Sequence, residues 1–314
     1  MSIAAAADVR TAVDLALRGK RRDVAGLVFR LALVGTLLLA LAILLVLLAT
    51  TLVEAWPVLS TRGWDFVTSD TSALPSQAGV WQGLIGSIIL TGFVACIALP
   101  IGIAAAIYLQ EYARDTRVNR ILITNIRNLA GVPSVVYGIL GLVVFVQALR
   151  AFTGPNSFGR SYISGGLTLA VLVMPIVILI TMEALRAVPR GIREGAYGVG
   201  ATRWEVVRSH VLPYAAPGIF TGAILALARA FGETAPLLLV GSVTGYLSTP
   251  SGRPPLEIVQ GPYTALPTQI FAWSKLPASE WQSNTAAAII VLLTAILVVN
   301  FLAIVLRNRY ERTW

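Results

Sequence analysis

The sequence predicts an all-α polytopic integral membrane protein with six transmembrane helices and both termini on the cytoplasmic side. Three observations carry this reading. Of 314 residues, 56% are hydrophobic and only 12% charged, against roughly 25% charged in a soluble domain, and the mean hydropathy is +0.78. Six apolar stretches are each long enough to cross the hydrocarbon, which takes about 20 helical residues. The basic residues gather in alternate connections, the pattern that sets orientation.

In chain order, residues 1–30 are expected as a cytoplasmic tail and 31–53 as the first span. That span is too long for a signal-peptide core of about 7–15 residues, and no small-residue cleavage site follows, so it is expected to remain as an anchor. An extracytoplasmic loop runs over 54–79. A core of five helices follows over 80–306, with spans near 80–110, 128–149, 161–183, 217–241 and 285–306, then a short cytoplasmic tail over 307–314. The second span is overlong and carries Pro100, which predicts a kink or a helix continuing past the membrane. No repeat and no second domain is evident.

Arginine and lysine place the loops. The amino-terminal tail holds Arg10, Arg18, Lys20, Arg21, Arg22 and Arg30; the loop after span two holds Arg114, Arg117, Arg120 and Arg127. Arg186, Arg190, Arg193, Arg203 and Arg208 follow span four, and Arg307, Arg309 and Arg312 end the chain. The opposite side has only Arg62, Arg150, Arg160, Arg253 and Lys275. The net charge of +9 is therefore a topology signal that also favours anionic inner-leaflet lipid; nucleic acid is not an expected partner.

The longest charged stretch between spans, 184–216, is patterned. Pro189 suits the first turn of a helix, where its missing N–H costs nothing. That helix is predicted to pass Glu194 and Ala196 and to stop at Gly198-Val-Gly200. Thr202-Arg-Trp-Glu205 reads as a capping box. A second short helix is expected with Trp204, Val207 and Val211 on one face, closed by Pro213 and Pro217. Two short helices joined by a glycine turn make a docking knob.

Two absences bound the chemistry. Neither lysine lies in the phosphate-cradling pattern GxxxxGK[ST], so ATP hydrolysis must come from elsewhere. His210 is the only histidine, which excludes His-pair metal sites and a Ser-His-Asp triad. No cofactor, no metal and no enzymatic activity are expected. Cys96, the single cysteine, reads as a small apolar core residue.

Arg229 and Glu233 in ALARAFGETAPLLL stand four residues apart, on one face of a helix. Counted from Pro217, Arg229 lies about 18 Å into a ~30 Å core, where a charge costs roughly 2.5–3.5 kcal/mol. An intramembrane pair is expected to serve passage of a substrate, and Pro236 frees backbone at the same depth. The arginine fork suits an oxyanion, and a carboxylate beside it accepts the P–OH of hydrogen phosphate while repelling sulfate. A self-neutralising structural pair is the alternative. Ser134 and Tyr137 in VPSVVYG either line the path or form a small-residue packing surface. Glu183 and Arg186 read as a local ion pair. Trp273 and Trp281 either mark the membrane interface or face a partner.

The spacing Glu194-Gly-Ala196, three residues, Gly200, nine residues, His210-Val-Leu212-Pro213 resembles the EAA signature of bacterial ABC-importer permeases. Gly195 stands where alanine is common in that family, and His210 where an aliphatic residue is usual. The resemblance implies a type I ABC-importer permease fold and a loop that fits a cleft on a cytoplasmic ATPase. GVWQGLIGSIILTGFVACIALPIGIAAAIYLQEYA, VPSVVYGILGL and ARAFGETAPLLL extend it over about 80–314 to the phosphate ABC-importer permeases. GETAPLLL and the tail from ALPTQIFAW resemble the PstA branch more than the PstC branch. By that resemblance the partners are a PstC-like permease subunit, a PstB-like ATPase dimer and a PstS-like phosphate-binding protein. The substrate is inorganic phosphate, and the place is the bacterial plasma (inner) membrane. Charged residues of these spans are implicated in phosphate passage in the family, which carries over to Arg229 and Glu233 alone. Transport by alternating access is the expected mechanism. A PstC-type subunit, a permease for molybdate or sulfate, a secondary transporter and a channel are the rival readings.

Overall fold

The structure, a computed structural model, describes residues 24–153, 157–244 and 255–310. The tail before Asp23, Arg253 and the last four residues, with the charges assigned to them, lie outside the described residues. Every described element is helical. Among the described residues, five helices are long and apolar enough to cross a membrane, and a bent pair makes a sixth crossing if its two halves count as one span.

The chain divides into two compact units, one up to Thr51 and one from Leu52. α1, Val24–Thr61, begins in the first. It is apolar on every side and its side chains up to Thr50 are exposed, as expected of a helix bathed in lipid. It is longer than the predicted 31–53, since Pro57 sits inside it without ending it.

In the second unit, α2 (Gly63–Thr68) leads to α3 (Trp81–Ile107), which continues as a π turn over Tyr108–Tyr112. The second span thus extends past Pro100 as one long helix. The third span differs from expectation. α4 (Arg117–Ala130) is amphipathic, and α5 (Ser134–Gly141), prolonged by a π turn to Val146, leaves it at 99°. The predicted 128–149 crosses this corner. Pro133 cannot donate to a helical ladder, and it disfavours helical backbone at Val132, so the chain turns there.

α6 (Tyr162–Arg186) is the spine. Most of its residues are buried, among them Leu169, Leu172, Val173, Val177 and Leu185. α3 packs along it most extensively, followed by α9 (Leu212–Gly232). The approach is close because glycine faces side chains across both seams. A Cβ on Gly102 would stand 2.8 Å from Val177, and one on Gly218 2.8 Å from Ala184. Small residues at such seams let backbones approach in lipid, where no hydrophobic driving force separates helix from tail. α7 (Arg190–Gly198) and α8 (Arg203–Val206) form the connection between α6 and α9, and α10 (Ala235–Val240) follows α9 after a short break.

The remaining elements are α11 (Pro255–Gln260), α12 (Leu266–Trp273) and α13 (Ser279–Tyr310). Trp273 and Trp281 turn inward and are buried, their tilted rings 5.3 Å apart, with Phe66 6.4 Å from Trp273. The tryptophans bury large ring area, and this satellite core ties α2 and α12 to the start of α13.

Gly138→Ala should separate α5 from α10, since its Cβ would lie 2.7 Å from Pro236 Cα. Overpacking of this kind costs about 1–3 kcal/mol. Thermal unfolding in detergent should show it, with Gly92→Ala as the control, because a Cβ there meets nothing within 4 Å.

Candidate functional site

The knob between α6 and α9 is built by local turn chemistry. Pro189 precedes α7, and Gly200 (φ 87°) ends it. Gly200 N–H donates to the Tyr197 carbonyl (3.0 Å) and Ala201 N–H to the Ala196 carbonyl (3.1 Å), the paired bonds of a Schellman cap that needs a left-handed residue. The capping box is present. The Glu205 carboxylate accepts from Thr202 N–H at 2.7 Å, and Glu205 N–H donates to Thr202 Oγ1 at 3.4 Å. Glu205 lies in the loop, and the Thr202 backbone bond, aided by the Thr202 hydroxyl, holds its carboxyl below the usual range.

The second half of the knob departs from the sequence reading. α8 does not close at Pro213 or Pro217. It runs through a π turn, Val207–Val211, directly into α9, with Pro213 in the first turn of that helix and Pro217 inside it. A π turn inserts one residue and leaves carbonyls free of i→i+4 partners, which accommodates a proline without an end. Val206, Val207 and Val211 are buried, whereas Trp204 is 57% exposed. Ala196 is buried in the same small core and Leu212 packs against it. Glu194, Gly200, Thr202, Glu205, His210 and Pro213 are exposed. Trp204, Tyr197 and Val199 turn their apolar surface outward.

Sequence reasoning missed what holds the knob. Arg193 Nη2 lies 2.7 Å from Glu111 Oε1 at the end of α3. The same guanidinium donates to the Leu185 and Val188 carbonyls, both at 2.8 Å, capping the end of α6. Arg203 donates to the Glu111 carbonyl and sits 5.1 Å over the Tyr112 ring. Arg186 bonds Glu183 (2.9 Å), as expected, and also Gln110 (3.0 Å). The Arg193–Glu111 pair spans 82 residues, so no local pattern announces it. The one signal was a carboxylate ending an apolar run.

The second candidate site lies past the far end of α9. The predicted continuous helix over 217–241 is broken. α9 stops at Gly232, Glu233 is extended (φ −72°, ψ 126°), and α10 starts at Ala235 with Pro236 in its first turn. Arg229 and Glu233 still meet, Nε to Oε1 at 3.2 Å, with side-chain exposures of 48% and 14%. Glu233 reaches back from just beyond the helix end, so the pair survives the break. α10 rests on α5, the second half of the other broken span. Ser134 opens α5 and is half-buried; Tyr137 is buried and its hydroxyl donates to the Leu129 carbonyl at 2.9 Å, bracing the 99° corner. Two interrupted helices therefore pack against each other. Backbone freed at membrane depth is tolerated where protein or a water-filled cavity covers it. Among the described residues no group of His, Cys, Asp and Glu is placed to hold a metal.

Residues 98–313 match the family described as binding-protein-dependent transport system inner membrane component. The chain is 32% identical over 253 residues to the probable ABC transporter permease protein YqgI of Bacillus subtilis, covering 78% of this chain and 83% of that one. It is 30% identical over 270 residues to the phosphate transport system permease protein PstA 1 of Mycobacterium tuberculosis, covering 85% and 84%. Among solved structures, a chain of a bacterial alginate ABC transporter superposes with a TM-score of 0.63 over 90% of this chain and 96% of that chain, at 16% identity, and shares the fold. With the knob, the spans and these matches together, the chain belongs to the inner membrane components of binding-protein-dependent transport systems.

Proposed function

We propose that the chain is the PstA-like permease subunit of an ATP-driven importer of inorganic phosphate, working by alternating access beside a PstC-like subunit. The observation that carries the proposal is the Arg229–Glu233 pair at the interruption between α9 and α10. An interrupted helix offers free backbone groups together with a fork suited to two oxyanion oxygens. The similarity to a phosphate permease supports the choice of cargo. Ser134 lines the path at the mouth of the corner, and Tyr137 holds the corner's shape.

The loop 184–216 and both termini face the cytoplasm in this reading, because the basic residues gather there. The outward Tyr197, Val199 and Trp204 enter a cleft of a PstB-like ATPase dimer, with Glu194 and His210 beside them. ATP is hydrolysed there and not in this chain. A PstS-like binding protein delivers phosphate to the opposite face. The clamp of Arg193 on Glu111, Leu185 and Val188 makes knob, α3 and α6 move as one body, so closure of the ATPase reaches the spans.

Proteoliposomes holding the four-part complex test the cargo and the site. Wild type should take up radiolabelled phosphate only with ATP. Arg229→Gln should lower uptake at least about tenfold, the ratio that ~1.4 kcal/mol represents, with ATP hydrolysis retained. Normal uptake by the variant would make the pair structural. Glu233→Gln should let sulfate compete with phosphate; unchanged selectivity would remove the carboxylate from discrimination.

Arg193→Gln should uncouple the machine. Uptake is expected to fall between about 5- and 150-fold, the usual span of a coupling energy, while hydrolysis continues. Equal losses in both activities would mean that the clamp only supports folding.

A further inference from the structure

At the end of the bundle opposite the knob, a cleft of about 540 Å³ is lined by Gln147, Arg150, Phe158, Arg160, Gly241 and Val243, among others. It sits where α5, α6 and α10 meet. Its arginines are exposed, and neither forms a salt bridge among the described residues. None of the described lining residues is acidic. Two cations on the wall of one concavity, without a counter-charge, focus an attractive field for anions.

A left-handed turn and its hydrogen bonds shape the wall beside Arg160. Phe158 (φ 47°) and Gly159 (φ 87°) are both left-handed, a conformation that costs a non-glycine residue energy and persists only when its surroundings enforce it. Gly159 N–H donates to Thr153 Oγ1 at 2.8 Å, and Arg160 N–H donates to the Ser157 carbonyl at 2.8 Å. The turn so held places the Phe158 ring 5.6 Å from the Arg150 guanidinium. Arg160 lies across Gly241, where a Cβ would collide with its stem. Gly241 is the left-handed cap of α10, with Ser242 N–H on the Leu237 carbonyl at 2.9 Å.

α10 has six residues, a rise of about 9 Å, and the residue pair before it is Glu233-Thr234. The cleft and the Arg229–Glu233 pair therefore lie at the two ends of one short helix. We infer that this Arg150–Arg160 cleft is a second oxyanion station, which captures a hydrated phosphate group before it reaches Arg229. The cleft is far larger than one tetrahedral ion, so it fits an ion that keeps its water and is held loosely. Its direction of use rests on the importer reading. An anionic lipid headgroup offers the same phosphate chemistry, but the short link through α10 to Glu233 favours the free ion.

Cys96, the single cysteine, is exposed and not the core residue expected, and Cys96→Ala gives a background for one probe, Gln147→Cys, on the cleft wall. The complete transporter would be placed in nanodiscs of neutral phosphatidylcholine. Thiol modification would be timed with a sulfonate-bearing and a trimethylammonium-bearing methanethiosulfonate, at constant ionic strength. The anionic reagent should react faster, and millimolar inorganic phosphate should slow it. Arg150→Gln with Arg160→Gln should lower the anionic-to-cationic rate ratio roughly tenfold and abolish protection; the double lysine variant should keep both. Absence of protection by any oxyanion, with ATP-driven phosphate uptake intact, would overturn the station and leave the importer reading standing. Protection by molybdate or sulfate but not phosphate would keep the station and overturn the cargo. If phosphate does nothing in neutral discs and added phosphatidylglycerol protects, the cleft is a headgroup site and the inference fails.

Discussion

Within hydrocarbon, no water accepts a hydrogen bond that a helix leaves open. That constraint explains why every described element of this chain is helical and bears on where those elements depart from regular helix. The corner at 131–133 and the break at 233–234 belong to elements packed on each other and on α6. The π turns at 108–112 and 207–211 border the knob, and Arg203 donates to the Glu111 carbonyl of the first. The two interrupted spans meet each other through α5 and α10, and the extended residue at 233 is what lets the Glu233 carboxylate reach back to Arg229.

α6 joins these parts. Its knob end is capped by Arg193, which also binds Glu111 of α3, so two spans share one guanidinium. Its opposite end packs Tyr162 against Tyr263 at 5.4 Å, and the Tyr263 hydroxyl donates to the Leu237 carbonyl of α10 at 3.1 Å. Burial pushes that phenol well above its ordinary pKa, so it stays a donor. The two ends of α6 are thus each tied to neighbouring elements, one by a side-chain to backbone bond and the other by ring packing on Tyr263, which in turn bonds α10.

Sequence-local features were read from the residues with little loss. The Gly200 cap, the Thr202–Glu205 box and the Glu183–Arg186 pair each involve residues a few positions apart, whose geometry the backbone itself sets. The Arg229–Glu233 pair was found for a reason only half right. A continuous helix was assumed, and contact survived because Glu233 still lies near the last turn. Trp204 stands apart from Val207 and Val211: those two are buried as the apolar spacing predicts, whereas Trp204, in the first turn of α8, is exposed. Trp273 and Trp281 look amphipathic in isolation; a cluster that includes Phe66, Leu266 and the alanines of α13 buries them.

What the sequence by itself determined is the class of molecule, the approximate spans, the side on which basic residues gather, and the turn chemistry of the knob. These follow from transfer energies summed over a window and from hydrogen bonds between near neighbours, both of which are properties of short segments. Tertiary structure alone decided that Glu111 meets Arg193 across 82 residues, that two broken helices pack together, and that Arg150 and Arg160 share a cleft. Those outcomes depend on which glycines let which helices approach, a relation between distant segments that no single stretch of sequence contains.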